Sequence, residues 1–76
     1  MLSFEQFLNR VDKVYYENEF ELRYGQVLMN VLYQVWLEKY KEITTEKPDY
    51  DCYYDDGIVR LTLDYLERVW NDSTTK

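Results

Sequence analysis

Residues 21–43 read ELRYGQVLMNVLYQVWLEKYKEI, and the fold turns on how this stretch is taken. Tyr24, Val27, Leu28, Val31, Leu32 and Val35 recur at helical spacing, and Trp36, Leu37 and Tyr40 continue the stripe. The period predicts a helix over about residues 21–43. Glu19 and Glu21 stand at its positive N-terminal end, and Lys39 and Lys41 near its C-terminal end, as the helix dipole favours. Between residues 31 and 37 apolar side chains nearly encircle the axis, so the helix must be covered on more than one side. Either it lies centrally among three helices, or it breaks near Gln34 into two. Its valines lower helix propensity slightly, so burial has to hold it.

Upstream, Ser3 and Gln6 have the spacing of a capping box, with Leu2 as the staple residue. Phe4, Phe7, Leu8, Val11, Val14 and Tyr15 form an apolar face, which predicts a first amphipathic helix over about 3–16. It ends near Glu17-Asn18-Glu19, where Asn18 suits a left-handed C-cap. Downstream, residues 44–57 form the longest linker. Pro48 forbids regular helix there and biases Lys47 toward extended backbone. Asp55 or Asp56 is the expected N-cap of a last helix over about 57–71. Val59, Leu63, Leu66 and Trp70 form its stripe, flanked by Ile58, Thr62, Tyr65 and Val69. Residues 72–76 read as a frayed tail. The expectation is one domain over 1–76, an all-α bundle of three helices (four if the central one breaks) with one long acidic, Tyr-rich loop. Tyr-rich residues 51–54 suit a strand, but no partner strand is evident and no sheet is predicted.

A chain of 76 residues buries only roughly 60% of its unfolded surface. Nine tyrosines, two tryptophans and three phenylalanines compensate, since each buried ring removes roughly 150–250 Å² from water. The net charge is −6, from 15 acidic and 9 basic residues. That disfavours direct contact with nucleic acid, whose phosphates need Lys and Arg, and with anionic membranes. It suits a partner with a basic surface. Cys52 is the only cysteine, so no intramolecular disulfide or CxxC metal site is expected. No signal-peptide pattern and no apolar run of about 20 residues stands in the sequence, and the chain reads as cytoplasmic.

Two segments carry the chemistry. Arg23, Gln26 and Asn30 fall at i, i+3 and i+7, a guanidinium and two amides on one helix face that Gln34 extends. Gly25 lies among them, where glycine costs about 1 kcal/mol relative to alanine, so something is expected to pack against the backbone there. The second segment is Asp49-Tyr50-Asp51-Cys52-Tyr53-Tyr54-Asp55-Asp56-Gly57. The two segments read either as a recognition patch or as an internal clamp. In the clamp, Arg23 pairs with Asp51, Asp55 or Asp56, while Gln26 and Asn30 satisfy the loop's backbone. The clamp is the preferred reading, because a small bundle must pin its longest loop.

Asp49, Asp51, Asp55 and Asp56 offer oxygens to calcium or magnesium, but the spacing fails the EF-hand pattern: the twelfth residue counted from Asp49 is Arg60 rather than glutamate. No metal site or cofactor is expected. Without histidine, and with Cys52 among carboxylates that raise a thiol's pKa, no nucleophile–base pair is evident; no catalytic residue is expected, and the chain does not read as an enzyme.

At these same residues the chain resembles a group of small proteins from tailed phages and bacterial genomes. Their pattern is an R-x-G-Q-x-x-x-N-x-L helix, a D-C-F/Y-Y-D-D loop and a last helix ending in Trp. Here it reads Arg23-Tyr24-Gly25-Gln26 on to Asn30 and Leu32, then Asp51-Cys52-Tyr53-Tyr54-Asp55-Asp56, then Val69-Trp70. The resemblance covers about residues 4–70 and departs from the pattern in the preceding loop, shorter and richer in Gly and Asn in that group. It implies a phage-type accessory protein, located in the host cytoplasm, and no particular activity.

The function expected from this is binding to a protein partner, with inhibition of a host nucleic-acid-handling or defence factor as its concrete form. Six acidic residues against one lysine lie between Glu42 and Gly57. Such carboxylates could occupy a phosphate-binding groove, with Tyr50, Tyr53 and Tyr54 supplying contacts beside them. Equally, the charge run reads as a solvated linker. One alternative is a self-associating assembly protein joined through Tyr33, Trp36 and Tyr40, and a homodimer is compatible with either role. Another is a metal-binding regulator built on the Asp loop.

Overall fold

The long apolar stretch does break. In a computed structural model, which describes residues 2–18 and 21–74, α1 spans Phe4–Glu17, α2 Tyr24–Val35, α3 Leu37–Glu46 and α4 Val59–Thr74. Glu19, expected at the start of the second helix, and residues 75–76 of the tail lie outside the described residues. The break falls at Trp36, two positions beyond Gln34, where the backbone swings to φ −150°, ψ 73°. It interrupts the helix for one residue only: the Trp36 N–H still reaches the Leu32 carbonyl at 2.8 Å, and the Tyr40 N–H reaches the Trp36 carbonyl at 3.1 Å. The cause is burial. A straight helix over 21–43 would run about 35 Å and leave one side of its apolar girdle in water. Turning at Trp36 lays its ring edge-on against Trp70 at 4.9 Å and brings Ile43 of α3 into the core.

The other boundaries follow local chemistry. Ser3 Oγ accepts the Gln6 N–H (3.1 Å) and Gln6 Oε1 accepts the Ser3 N–H (2.9 Å), the reciprocal capping box expected of that spacing. Asn18 closes α1 without left-handed backbone, at φ −126°; its amide instead donates to the Val14 carbonyl. Residues 21 and 22 belong to a turn on Asn18, so α2 starts at Tyr24 rather than near Glu21. Thr44 and Thr45, expected to open the loop, stay helical with their hydroxyls bonded to the Tyr40 and Lys41 carbonyls. The linker is therefore shorter than 44–57, and two 3₁₀ turns, Pro48–Tyr50 and Asp56–Ile58, occupy its ends. Asp55 caps the second turn, its Oδ1 accepting the Gly57 N–H at 2.8 Å, and α4 follows and continues to Thr74, past the expected end at residue 71. No strand forms among the described residues, and no helix there is long and apolar enough to cross a membrane.

All four helices and the loop feed one core: Phe7 and Val11 from α1, Val27, Leu28, Met29, Val31 and Leu32 from α2, Ile43 from α3, Cys52 from the loop, and Tyr65, Leu66 and Trp70 from α4. The helix α2 lies against both α1 and α3, and α4 closes the bundle against α1 and the loop turns. A polar cluster ties α3 to α4. Glu42 Oε2 accepts from Lys39 Nζ (2.8 Å) and from the Tyr65 hydroxyl (2.7 Å), and the Lys39 ammonium stands 5.3 Å from the Trp36 ring centre and 5.7 Å from that of Tyr65.

These two donors hold the Glu42 carboxyl below its ordinary value, the Lys39 bond contributing most. Burial, with the carboxylate beside it, pushes the Tyr65 phenol up to about 12. A carboxyl whose pKa falls on folding adds stability above its unfolded pKa and loses it as pH drops through the folded value. Glu42→Gln is therefore expected to lower the melting temperature at pH 7. The gap from the parent protein should narrow steadily below about pH 4.3, the ordinary glutamate value. Thermal melts between pH 7 and pH 3 check this, and a gap that stays constant with pH would remove the charge from the explanation.

Candidate interaction site

The loop is fastened to the start of α2 through backbone rather than through charge pairs. Asp56 Oδ1 accepts the Gly25 N–H at 2.9 Å. The Cys52 thiol lies 3.7 Å from the Gly25 carbonyl oxygen, and the Cys52 carbonyl presses on the space where a side chain at position 25 would begin. An added Cβ would collide with that carbonyl oxygen and stand 2.8 Å from Asp56 Oδ1. Gly25 is thus a close-approach glycine; it stands in the first turn of α2 rather than in a helix interior, and the loop backbone leaves no room for a side chain there. Arg23 is the N-cap and lies outside the helix; its Nη2 donates to the Tyr53 carbonyl at 3.1 Å. Thr62, wholly buried in α4, donates to the Tyr50 carbonyl at 2.7 Å.

The expected clamp of Arg23, Gln26 and Asn30 is therefore realised in part. Arg23 holds the loop, but by a carbonyl rather than by Asp51, Asp55 or Asp56. Gln26 Oε1 accepts the Arg23 N–H at 3.1 Å, so its amide secures the helix start and not the loop. Asn30 is exposed and faces a recess. Gly25 and Thr62 supply the missing fastenings. A threonine amid an apolar stripe is a readable sign of a buried hydroxyl that needs a partner. The identity of that partner, twelve residues away, was not readable.

Three loop carboxylates are committed to backbone N–H groups. Asp51 Oδ1 accepts from Tyr53 at 3.0 Å, Asp55 from Gly57 and Asp56 from Gly25. They point to different places, and no three Asp, Glu or Cys side chains among the described residues converge as a metal site. Asp49 is exposed. Tyr50 is not outward, as expected for a contact residue, but stacks on Tyr65 with centroids 4.4 Å apart and planes 11° apart. Tyr54 is 81% exposed, and Tyr53 is half-buried edge-on to it. Of the three aromatics expected at a self-association surface, Trp36 is packed on Trp70, whereas Tyr33 is 55% exposed and meets Tyr40 edge-on at 5.1 Å.

What the fold does bring together is Asn30, Tyr40, Asp51, Tyr53 and Tyr54, which line an open recess of about 320 Å³ between α2, α3 and the loop. Tyr40 comes from α3, beyond the break at Trp36, and no sequence spacing joined it to the loop; Asn30 was expected against the loop as part of the clamp and lines the recess instead. Cys52 lies beneath and is fully buried; burial pushes its thiol up to about 11, which leaves it protonated and unreactive at neutral pH.

The chain matches no known protein family, no curated protein and no solved structure.

Proposed function

We propose that the protein acts by binding another protein through the face formed by Tyr33, Tyr40, Tyr53 and Tyr54 around the recess, and not by catalysis. The observation that carries this reading is the concentration of solvent-facing tyrosine on one rigidly backed surface. Tyr54 is the exposed wall of the recess, Tyr33 is exposed against Tyr40 at its edge, and the loop behind Tyr53 is fixed to α2 by Gly25 and Arg23. Tyrosine on a preorganised surface loses little conformational entropy on binding and supplies both an apolar face and a hydroxyl. The excess of acid over base between residues 42 and 57 favours a basic partner surface over nucleic acid. In its finer form, the protein is a phage-type accessory factor in the host cytoplasm that inhibits a nucleic-acid-handling or defence protein. The Arg23–Asn30 and Asp51–Asp56 motifs support that form.

Affinity purification with the tagged full chain tests the reading. A specific partner retained by the parent protein, and lost with Tyr33→Ala or Tyr54→Ala at unchanged melting temperature, is the expected result. Retention of every captured protein by both variants would overturn it. Exposed Leu37 beside Tyr33 favours a second reading, self-association through this corner; sedimentation at high micromolar concentration gives a dimer if it holds and a monomer if it does not.

A further inference from the structure

Four hydrogen-bonding side chains with no partner among the described residues line the recess. Among the described residues, the Asn30 amide and the hydroxyls of Tyr40, Tyr53 and Tyr54 make no side-chain hydrogen bond, and all four line the same space. Asp51 forms the fifth wall. Its Oδ1 is held by the Tyr53 N–H, which leaves Oδ2 as an acceptor. Several polar side chains elsewhere are paired within the fold: Glu42 with Lys39 and Tyr65, Tyr24 with Asp12, Thr62 with the loop, and Trp70 Nε1 with Leu2.

The lining selects its occupant. Three tyrosines line the recess beside Asp51, which carries a full negative charge, in a stretch with six acidic residues and one lysine. An anion is repelled, and a neutral apolar group would leave Asp51 Oδ2 without a partner. A cation satisfies both walls. The volume of about 320 Å³ is at the small end of ligand sites, which run to about 1,000 Å³, and fits one extended side chain. Between the two basic side chains, arginine matches better. Its planar guanidinium stacks on a ring while its donors stay free in the plane, whereas ammonium is a strongly hydrated point charge. Acceptors are at hand in Asp51 Oδ2, Asn30 Oδ1 and the phenol oxygens. The chain's own Arg23 bonds the Tyr53 carbonyl and does not line the recess.

We infer that the recess of Asn30, Tyr40, Asp51, Tyr53 and Tyr54 receives an arginine side chain from the partner protein. This rests on the binding function proposed above and names the residue type its contact face selects.

A blocked tripeptide, acetyl-Gly-Arg-Gly-amide, titrated into the full chain and followed by heteronuclear NMR tests the assignment without any partner. Saturable shifts at the Asn30 side-chain amide and at Tyr53 and Tyr54 are expected in the millimolar range. The citrulline peptide, equal in shape but uncharged, should bind roughly fivefold or more weakly, and the lysine peptide several-fold more weakly. Asp51→Asn keeps the Oδ1 that holds the Tyr53 N–H and removes the charge; Tyr54→Ala removes an exposed wall at little risk to the fold. Each should weaken the arginine peptide roughly threefold or more. Equal binding of citrulline, shifts confined to other residues, or no shifts at tens of millimolar peptide would overturn the inference. A partner captured through Tyr33 and Tyr54 but insensitive to Asp51→Asn would leave the binding function standing and remove the arginine.

Discussion

Gly25→Ala is expected to destabilise the protein by about 2–4 kcal/mol, although alanine is the better helix former by about 1 kcal/mol. The new Cβ meets the Cys52 carbonyl, which is backbone and cannot rotate away, and it crowds the Asp56 carboxylate. Either the loop lifts or the helix start shifts. Lifting costs the Gly25 N–H bond to a charged acceptor, about 1.5–3 kcal/mol, and exposes Cys52. For a domain this small the loss corresponds to a fall in melting temperature of roughly 10–25 °C. Cys52 reports the same event chemically. Its thiol is fully buried in the parent protein and should resist a maleimide there, whereas Gly25→Ala should be labelled below its melting point. Arg23→Ala provides the comparison: it removes one exposed hydrogen bond, worth about 0.5–1.5 kcal/mol, and should leave Cys52 protected. A Gly25→Ala variant that melts within about 2 °C of the parent and still protects Cys52 would mean that the loop does not rest on α2 as described.

This places the fastening of the loop in a glycine rather than in the arginine beside it, and shows what could be read from the sequence. The helical period of residues 24–35, the Ser3–Gln6 box and the unusual cost of Gly25 are local signals, and each gave the right element or contact. The apolar girdle left two outcomes open, an unbroken central helix or a break near Gln34; the structure takes the second, two residues on, where Trp36 leaves helical geometry to meet Trp70, 34 residues away. The candidate site was legible only in half. Asp51, Tyr53 and Tyr54 stand out as an acidic, aromatic run. Tyr40 does not, since only the turn between α2 and α3 carries it to the loop, whereas Asn30 was legible through its spacing with Arg23 and Gln26, though as a fastening rather than as a wall of the recess. Tyr50 looks equivalent to its neighbours in sequence and is half-buried, stacked on Tyr65. The carboxylates that suggested metal or groove binding are held by N–H groups two residues on, or by an N–H of α2; such bonds depend on the turn each residue adopts.

Trp70→Ala is expected to leave the chain largely unfolded at 37 °C. Trp70 is 1% exposed and joins three elements: its ring centre lies 5.9 Å from Phe4 and 4.8 Å from Phe7 in α1, and 4.9 Å from Trp36 at the α2–α3 break. Its indole N–H donates to the Leu2 carbonyl at 2.7 Å, fixing the entry into α1. Truncating a buried tryptophan typically costs about 3–5 kcal/mol, against a total of roughly 4–11 kcal/mol for a domain of this length. Because Trp36 leaves the helix to reach this ring, the loss also removes the reason for the break, and the corner that sets Tyr40 opposite Asn30 should loosen with it. Trp70→Phe separates the two contributions. It keeps most of the packing and deletes the bond to Leu2, so it should cost about 1–2 kcal/mol, of which the lost bond accounts for about 1 kcal/mol. Circular dichroism melts order the series: the parent highest, Trp70→Phe lower by several degrees, Trp70→Ala without a cooperative transition above room temperature. A Trp70→Ala protein that melts cooperatively within about 10 °C of the parent would show that the aromatic cluster is not what holds α1, α4 and the helix break together.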